Sequence, residues 1–443
     1  MRCLWTFALV CFAAAPAWAG GGAFPRPEIR EWSLGNGLGV IYVPLHRAPV
    51  VTVQVWYHAG SKDERRDRRG SAHMFEHIMF KGTRHVPPEE HARHVDRVGG
   101  DVNAFTSQDV TAFHDTVPRQ YLDFMMQLEA ERMQHLLFLP KTIDTERDVV
   151  KEEIRMRENN PVAKAFKRFL ELVFTRHPYA WDPGGRIEDL EQTRPADLEA
   201  FYKAYYQPGN AYLVVVGDVE EEEVRASAER WFGSIPRAGE PPRPARDAQE
   251  PEQLAMRREA SEPGQVGVII GGFRLPAARS ADMIPLKVLA SVLSDGESSR
   301  LYRRVVRQDK VGVFAGMFLE ELEDPGVLLM FGVHLKPEQA PALEAAILAE
   351  AARLQKAKVS PAELEKAKNQ LASQLVRSLD QVAGIAFQIG ASKILRGDAK
   401  AWLDDYDRIL AVSADDVQRV AKTYLRKESL TLVTVPPMAG GAP

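Results

Sequence analysis

Two homologous α+β domains, each a mainly antiparallel sheet packed with helices, are what this 443-residue sequence predicts. Three observations carry the prediction. The order strands, helices, strands, helices and a closing strand occurs twice, once in each half. Residues 237–253 (RAGEPPRPARDAQEPEQ) have the proline and charge density of an inter-domain linker. The composition, 45% hydrophobic and 27% charged, is that of a globular chain long enough for two domains. The expected division is a domain at 20–236, a linker at 237–255 and a second domain at 256–443.

The elements follow in chain order. Asn36-Gly37 is a turn signal, and residues 38–57 (LGVIYVPLHRAPVVTVQVWY) read as two β runs broken near Pro44 to Pro49. Residues 70–81 read as a helix. Residues 101–117 are rich in Thr, Val and Phe and suggest strands. Helices are expected at 119–137 and 141–159, and a buried strand at 211–219 (AYLVVVGDV). Beyond the linker come a strand at 266–273, helices near 281–294 and 299–308, and strands near 311–320 and 326–335. Three or four helices between 337 and 425 and a last strand at 430–435 complete the second half.

The N-terminus reads differently. Arg2, an apolar run at 4–15 and Ala17-Trp18-Ala19 form a secretory signal peptide, residues 1–19, with cleavage expected before Gly20. That run is too short to span a bilayer comfortably, and no other segment is apolar enough, so no stable membrane insertion is expected. The mature chain is expected to be exported, to the periplasm or beyond. Cys3 and Cys11 both lie in the leader, so the mature chain would contain neither disulfides nor thiolate ligands. A formal charge of -4 provides no basic field for nucleic acid.

The chemistry begins at His73-Met74-Phe75-Glu76-His77, an H-x-x-E-H motif. Histidines four apart lie one helical turn from each other, so both imidazoles can hold one metal ion. Glu76 shares that face and can act as a base toward a water on the ion. A catalytic zinc usually takes a third protein ligand. Glu146 and Glu153, seven apart on the second charged helix, share a face with apolar neighbours, and a carboxylate on a buried face needs a partner. Glu152 points elsewhere, toward solvent. A metal carrier using His85, His91 and His94 is a weaker reading, because that segment is polar and reads as a solvated face.

With Glu153 in place the chain resembles the inverzincin zinc peptidases, the family of pitrilysin, insulin-degrading enzyme and the mitochondrial processing peptidase β-subunit. The likeness covers nearly the whole mature chain. Leu34-Gly35-Asn36-Gly37-Leu38 resembles the family's L-x-N-G-L, and Gly60-Ser61-Lys62-Asp63-Glu64 its G-S-x-x-E. Gly99 to Ser107 resembles its G-G-x-x-N-A-x-T-S strand. The run from His77 to Thr83, His177-Pro178-Tyr179 and the segment Pro208 to Ala211 fit as well. The resemblance implies a clamshell of two domains, one zinc ion held by His73, His77 and Glu153, and Glu76 as the base. It implies that Glu146 supports the site from behind the ligands. It also implies that the strand of Asn103, Ala104 and Phe105 pairs with an extended peptide substrate, as a sheet edge can.

One position departs from the pattern. Family members often carry an Arg and a Tyr seven apart near the scissile carbonyl. Here Arg307 is present, but Phe314 stands in the Tyr position and has no hydroxyl to donate. The resemblance therefore implies a homologous second subunit supplying an Arg/Tyr pair, or else a homodimer relying on Arg307. A non-catalytic interaction subunit of the same fold is the rival reading.

Overall fold

The computed structural model describes residues 24–243 and 250–438. The expected leader lies outside these, as do residues 244–249 of the expected linker. The first half contains β1 (Arg30–Ser33), β2 (Gly39–Pro44), β3 (Val50–Tyr57), β4 (Asp101–Thr106), β5 (Thr111–Pro118) and β6 (Ala211–Gly217). They form one sheet in the order β1-β2-β6-β3-β5-β4. The second half contains β7 (Arg257–Ala260), β8 (Gly267–Arg274), β9 (Phe314–Glu320), β10 (Val327–His334) and β11 (Thr431–Val435), in the order β7-β11-β8-β10-β9. In each sheet a single pair is parallel, β2 with β6 and β7 with β11. Apart from β1, the two sheets therefore share strand order and pairing sense, and the duplication expected from the sequence is present in the topology.

Helices of the first half are α1 (Ser71–Ile78), α2 (Glu90–Arg97), α3 (Leu122–Gln134), α4 (Pro140–Glu158), α5 (Pro161–Val173), α6 (Ile187–Gln192), α7 (Pro195–Tyr205) and α8 (Glu221–Phe232). Those of the second are α9 (Met283–Ser294), α10 (Ala340–Lys356), α11 (Pro361–Arg377), α12 (Val382–Arg396), α13 (Asp405–Ala411) and α14 (Ala414–Tyr424). A π-helical stretch, Tyr302–Gln308, precedes β9.

Each sheet is covered on both faces. Val51, Val53 and Val55 of β3 meet Met74 and Phe75 of α1 and Met125 of α3 in one core. Trp56 of β3 and Val214 of β6 point the other way, toward Ile385 and Ile389 of α12. The second sheet repeats this, with Ile269 of β8 facing Leu289 of α9, and Val268 and Ile270 facing Phe169 and Val173 of α5. The halves thus exchange one helix each: α5 lies on the second sheet and α12 on the first. Burial on both faces explains why β6 reads as a continuous apolar run instead of alternating.

The structure differs from the sequence reading in definable places. β1 (REWS) and β7 (RREA) are short, charged strands that alternate between half-buried and exposed, so no apolar run marks them. Residues 161–205 fold as α5, α6 and α7, which the reading leaves unassigned, and α8 follows β6. Five α-helices occupy 340–424 instead of three or four, because α12 stops at Gly397 in the left-handed region (φ 80°) and the short α13 follows. The expected solvated face at His85, His91 and His94 holds only in part: His91 lies on α2 with 4% exposure, against Asp115.

Candidate metal centre

The H-x-x-E-H motif lies on α1, directly after the turn that follows β3. Gly70, at φ 94°, sets the entry to the helix in a conformation that side-chain-bearing residues avoid. Glu64 is buried just ahead of it. Its two carboxylate oxygens accept the backbone N–H groups of Gly70 and Ala72, each at 2.8 Å. These are donors a helix start leaves unsatisfied, so the carboxylate fixes where α1 begins. Burial outweighs those two hydrogen bonds and pushes the Glu64 carboxyl up to about 8.

Three donor groups converge beside α1. His73 Nε2 lies 3.6 Å from Glu153 Oε2, and His77 Nε2 lies 3.8 Å from Glu153 Oε1. The three ligand atoms all fall within 4.8 Å of one another. The two rings stand nearly perpendicular, 89° apart, with centroids at 5.0 Å. Both nitrogen–oxygen separations are too long for hydrogen bonds. They are close to the edge of a tetrahedron with zinc–ligand bonds of about 2.0–2.2 Å, which is roughly 3.3–3.6 Å. Two imidazoles and one carboxylate are also the donor set of a catalytic zinc site, and the residues fit that ion.

The electrostatics favour two different imidazoles. Burial drops His73 to about 3, aided by His77 and Arg157, which leaves it neutral with a lone pair to give. Burial also opposes charge on His77, but Glu146, Glu153 and Glu76 outweigh it and raise its pKa. Glu146, 5% exposed, places Oε2 3.5 Å from His77 Nδ1, the nitrogen turned away from Glu153. Lys81 Nζ stands 3.4 Å from its other oxygen. Burial raises the Glu146 carboxyl, while His77 and Lys81 outweigh that and hold it low. The carboxylate therefore sits where it can orient the His77 ring.

The other sequence-predicted residues are distributed unevenly. Glu76 is half-buried on α1, one residue before His77. Asn103, Ala104 and Phe105 lie on β4, which ends the first sheet and pairs only with β5. Asn103 is exposed, and its Oδ1 accepts the Ala104 N–H at 2.8 Å, so a peptide binding there must displace that side chain. Ala104 packs against the core that contains α1. Phe105 turns to the opposite face, between Trp56 and Phe387 of α12. Arg307 is not brought into the cluster. It lies in the second half, ion-paired with Glu297 and over the Tyr302 ring. Phe314 is exposed at the start of β9, stacked on Phe318.

A cleft of about 630 Å³ opens between the halves beside the last turns of α4. Ile154 and Arg157 line it from the first half, Glu320, Val327 and Leu329 from the second, with Phe166 of α5 between. Lys81, Glu64 and this cleft are absent from the sequence reading of the site. Glu64 carries a signal in the G-S-x-x-E run, but its contact with the start of α1 needs the fold.

A duplicated α+β clamshell with an H-x-x-E-H helix on one half defines a class, the two-domain zinc-peptidase fold. Residues 40–180 match the family described as Insulinase (Peptidase family M16), and residues 194–371 match Peptidase M16 inactive domain. The zinc protease PqqE of Helicobacter pylori is 31% identical over 415 residues, 93% of either chain. The crystal structure of a protease from Helicobacter pylori superposes with a TM-score of 0.88 at 30% identity, covering 93% of this chain and 100% of that one. A Pseudomonas fluorescens structure of a peptidase M16 inactive domain gives 0.83 at 17% identity, over 94% of this chain and 100% of its own, which speaks for the fold alone. The chain belongs to the M16 peptidase family, the pitrilysin or insulinase family, in its short bacterial form.

Proposed function

We propose that this chain is a zinc metallopeptidase whose site is His73, His77, Glu153 and Glu76. The observation that carries the reading is the convergence of one ligand atom each from His73, His77 and Glu153 within 4.8 Å. These three would hold one zinc ion. Zinc bound there supplies a Lewis acid that polarises the scissile carbonyl and acidifies water. Glu76 takes the proton of the attacking water and passes it to the leaving amine. Glu146 keeps the His77 ring in place through Nδ1. The free edge of β4 pairs with an extended peptide, and the cleft beside α4 receives its side chains. Access between two closing halves favours short or unfolded peptides over folded proteins.

The same reading has residues 1–19 as a cleaved leader and the protein in the periplasm or outside the cell. Residues 237–255 join the two domains. Because Phe314 lacks a hydroxyl, full activity draws on a homologous second subunit with an Arg/Tyr pair; a homodimer using Arg307 is the alternative. Glu76→Gln tests the core of the proposal: zinc content should stay at one ion per chain at the α1 site while peptide turnover disappears. Retained turnover would remove Glu76 from the reaction.

A second reading, a non-catalytic interaction subunit, draws on the match of residues 194–371 to a domain described as inactive. That match runs from α7, β6 and α8 of the first half into the second and does not include His73, His77 or Glu153. Purified chain that binds no zinc would favour this second reading.

A further inference from the structure

We infer that the chain holds a second divalent-cation site, formed by His85, Glu131 and His135, separate from the one on α1. Glu131 and His135 lie four apart at the end of α3, one turn from each other, and His85 lies on the loop that leaves α1. His85 Nδ1 lies 3.0 Å from Glu131 Oε1, and His135 Nδ1 lies 2.9 Å from Glu131 Oε2. One ligand atom from each of the three falls within 4.8 Å of the other two. The imidazole rings are perpendicular, 89° apart, with centroids at 5.4 Å. This is the donor chemistry of a borderline cation, zinc, cobalt or nickel.

The backbone fixes the three side chains. Arg84 N–H donates to the His135 carbonyl at 3.0 Å, and Thr83 N–H donates to the Val86 carbonyl at 2.9 Å. Thr83 also forms an isolated antiparallel bridge with Leu136. The loop bearing His85 is therefore clamped to the end of α3 by main-chain bonds, so little ordering is left for an ion to impose. The carboxylate has support from behind, as bound carboxylates do. Glu131 Oε1 accepts Thr83 Oγ1–H at 2.9 Å and His85 N–H at 3.0 Å, so Oε2, which His135 Nδ1 now holds, is the oxygen an ion would take. On binding, each neutral imidazole takes the tautomer with its hydrogen on Nε2, exchanged through solvent, and turns the Nδ1 lone pair to the cation.

Access is open as well. His85 has 63% of its side chain exposed, and the cluster forms one wall of a surface pocket of about 490 Å³ with Pro87 and Trp231. Water can supply the remaining ligand. A cation there ties the segment after α1 to α3 and braces the helix that carries His73 and His77. The buried group of His91, Asp115 and Glu129 also meets the geometric criterion, but the Arg132 guanidinium already neutralises those carboxylates.

The test is a cobalt titration of the purified apo chain, read by equilibrium dialysis and the visible spectrum. Wild type should bind two ions. His85→Ala should bind one, Glu153→Ala one, and the double variant none. His135→Ala should repeat the His85→Ala result from the other side of the site. Equal stoichiometry in wild type and His85→Ala overturns the inference, whatever becomes of the site on α1.

Discussion

The two halves share five strands in one order with one set of pairing senses, yet they do opposite things with the helix that follows the central strand. After β3 comes α1, SAHMFEHI, which carries two imidazoles and a carboxylate. After β8 comes α9, MIPLKVLASVLS, of which ten residues are buried and none is a histidine or a carboxylate. The fold tolerates both because helix packing needs only an apolar stripe. In α1, Met74, Phe75 and Ile78 meet that need and leave His73, Glu76 and His77 free for chemistry. On the proposed reading, function resides in one turn of helix and the carboxylates across from it, not in the architecture.

The sharpest way to break the comparison is to make α1 resemble α9 chemically. His73→Leu should leave the fold intact and lose the zinc on α1, with peptide turnover falling about a thousandfold or more. Circular dichroism and metal analysis separate loss of the ion from loss of the fold. A folded and fully active His73→Leu chain that keeps its zinc on α1 would mean that the two helices do not differ as argued.

The exchanged helices offer a structural contrast of comparable size. Where α12 crosses the first sheet, the strand supplies bulk and the helix a gap: a Cβ on Gly390 would lie 2.1 Å from Trp56. Where α5 crosses the second sheet the roles reverse, and a Cβ on Gly272 of the strand would lie 3.0 Å from Phe169 of the helix. Gly390→Ala should destabilise by about 3 kcal/mol through overpacking. Trp56→Leu in the same chain should recover part of this, because the obstruction is a side chain. Gly272→Ala should be as costly with no such rescue, since its Cβ would meet the Leu328 carbonyl oxygen at 2.3 Å. Thermal unfolding of the two single variants and the double mutant measures both predictions.

Glu146 gives a subtler contrast, since α9 has no imidazole for such a carboxylate to hold. Glu146→Gln should weaken zinc binding roughly 10- to 100-fold, with little change in secondary structure. Competition against a chelator measures it. Unchanged affinity would reduce Glu146 to a partner of Lys81.

Much of this was legible in the sequence, for physical reasons. Strands buried on both faces, such as β3 and β6, write themselves as apolar runs, and the duplicated order of elements follows from them. His73 and His77 could be paired because helical spacing converts sequence offset into a shared face; Glu153 was singled out by the family resemblance, and the fold brings it beside them. β1 and β7 were not, because a charged edge strand of four residues has no pattern of its own. The partners of His91 and His85 were also hidden. Asp115, Glu129, Glu131 and His135 lie tens of residues away on β5 and around α3, and only the packing of α2 and its preceding loop against them makes clusters. Arg307 and Phe105 fitted a motif, yet their side chains turn to Glu297 and to Trp56.

Glu64 gives the prediction with the clearest sign. Buried at the start of α1, its carboxyl is raised to about 8 in the folded chain, against about 4.5 unfolded. Between those values the folded state keeps a proton that the unfolded state has released. The group's contribution to stability is thus complete below about pH 4.5 and is lost as pH rises toward 8. A glutamine in its place does not titrate. The melting temperature of wild type should therefore fall relative to Glu64→Gln as pH climbs from 4.5 to 8, whichever chain is more stable at the start. The opposite slope would show that Glu64 caps α1 as an anion, with the N–H groups of Gly70 and Ala72 and the helix dipole overcoming its burial. In that case the first N–H groups of α1 would be bonded to a carboxylate, unlike those of α9, where Asp282 makes no side-chain cap.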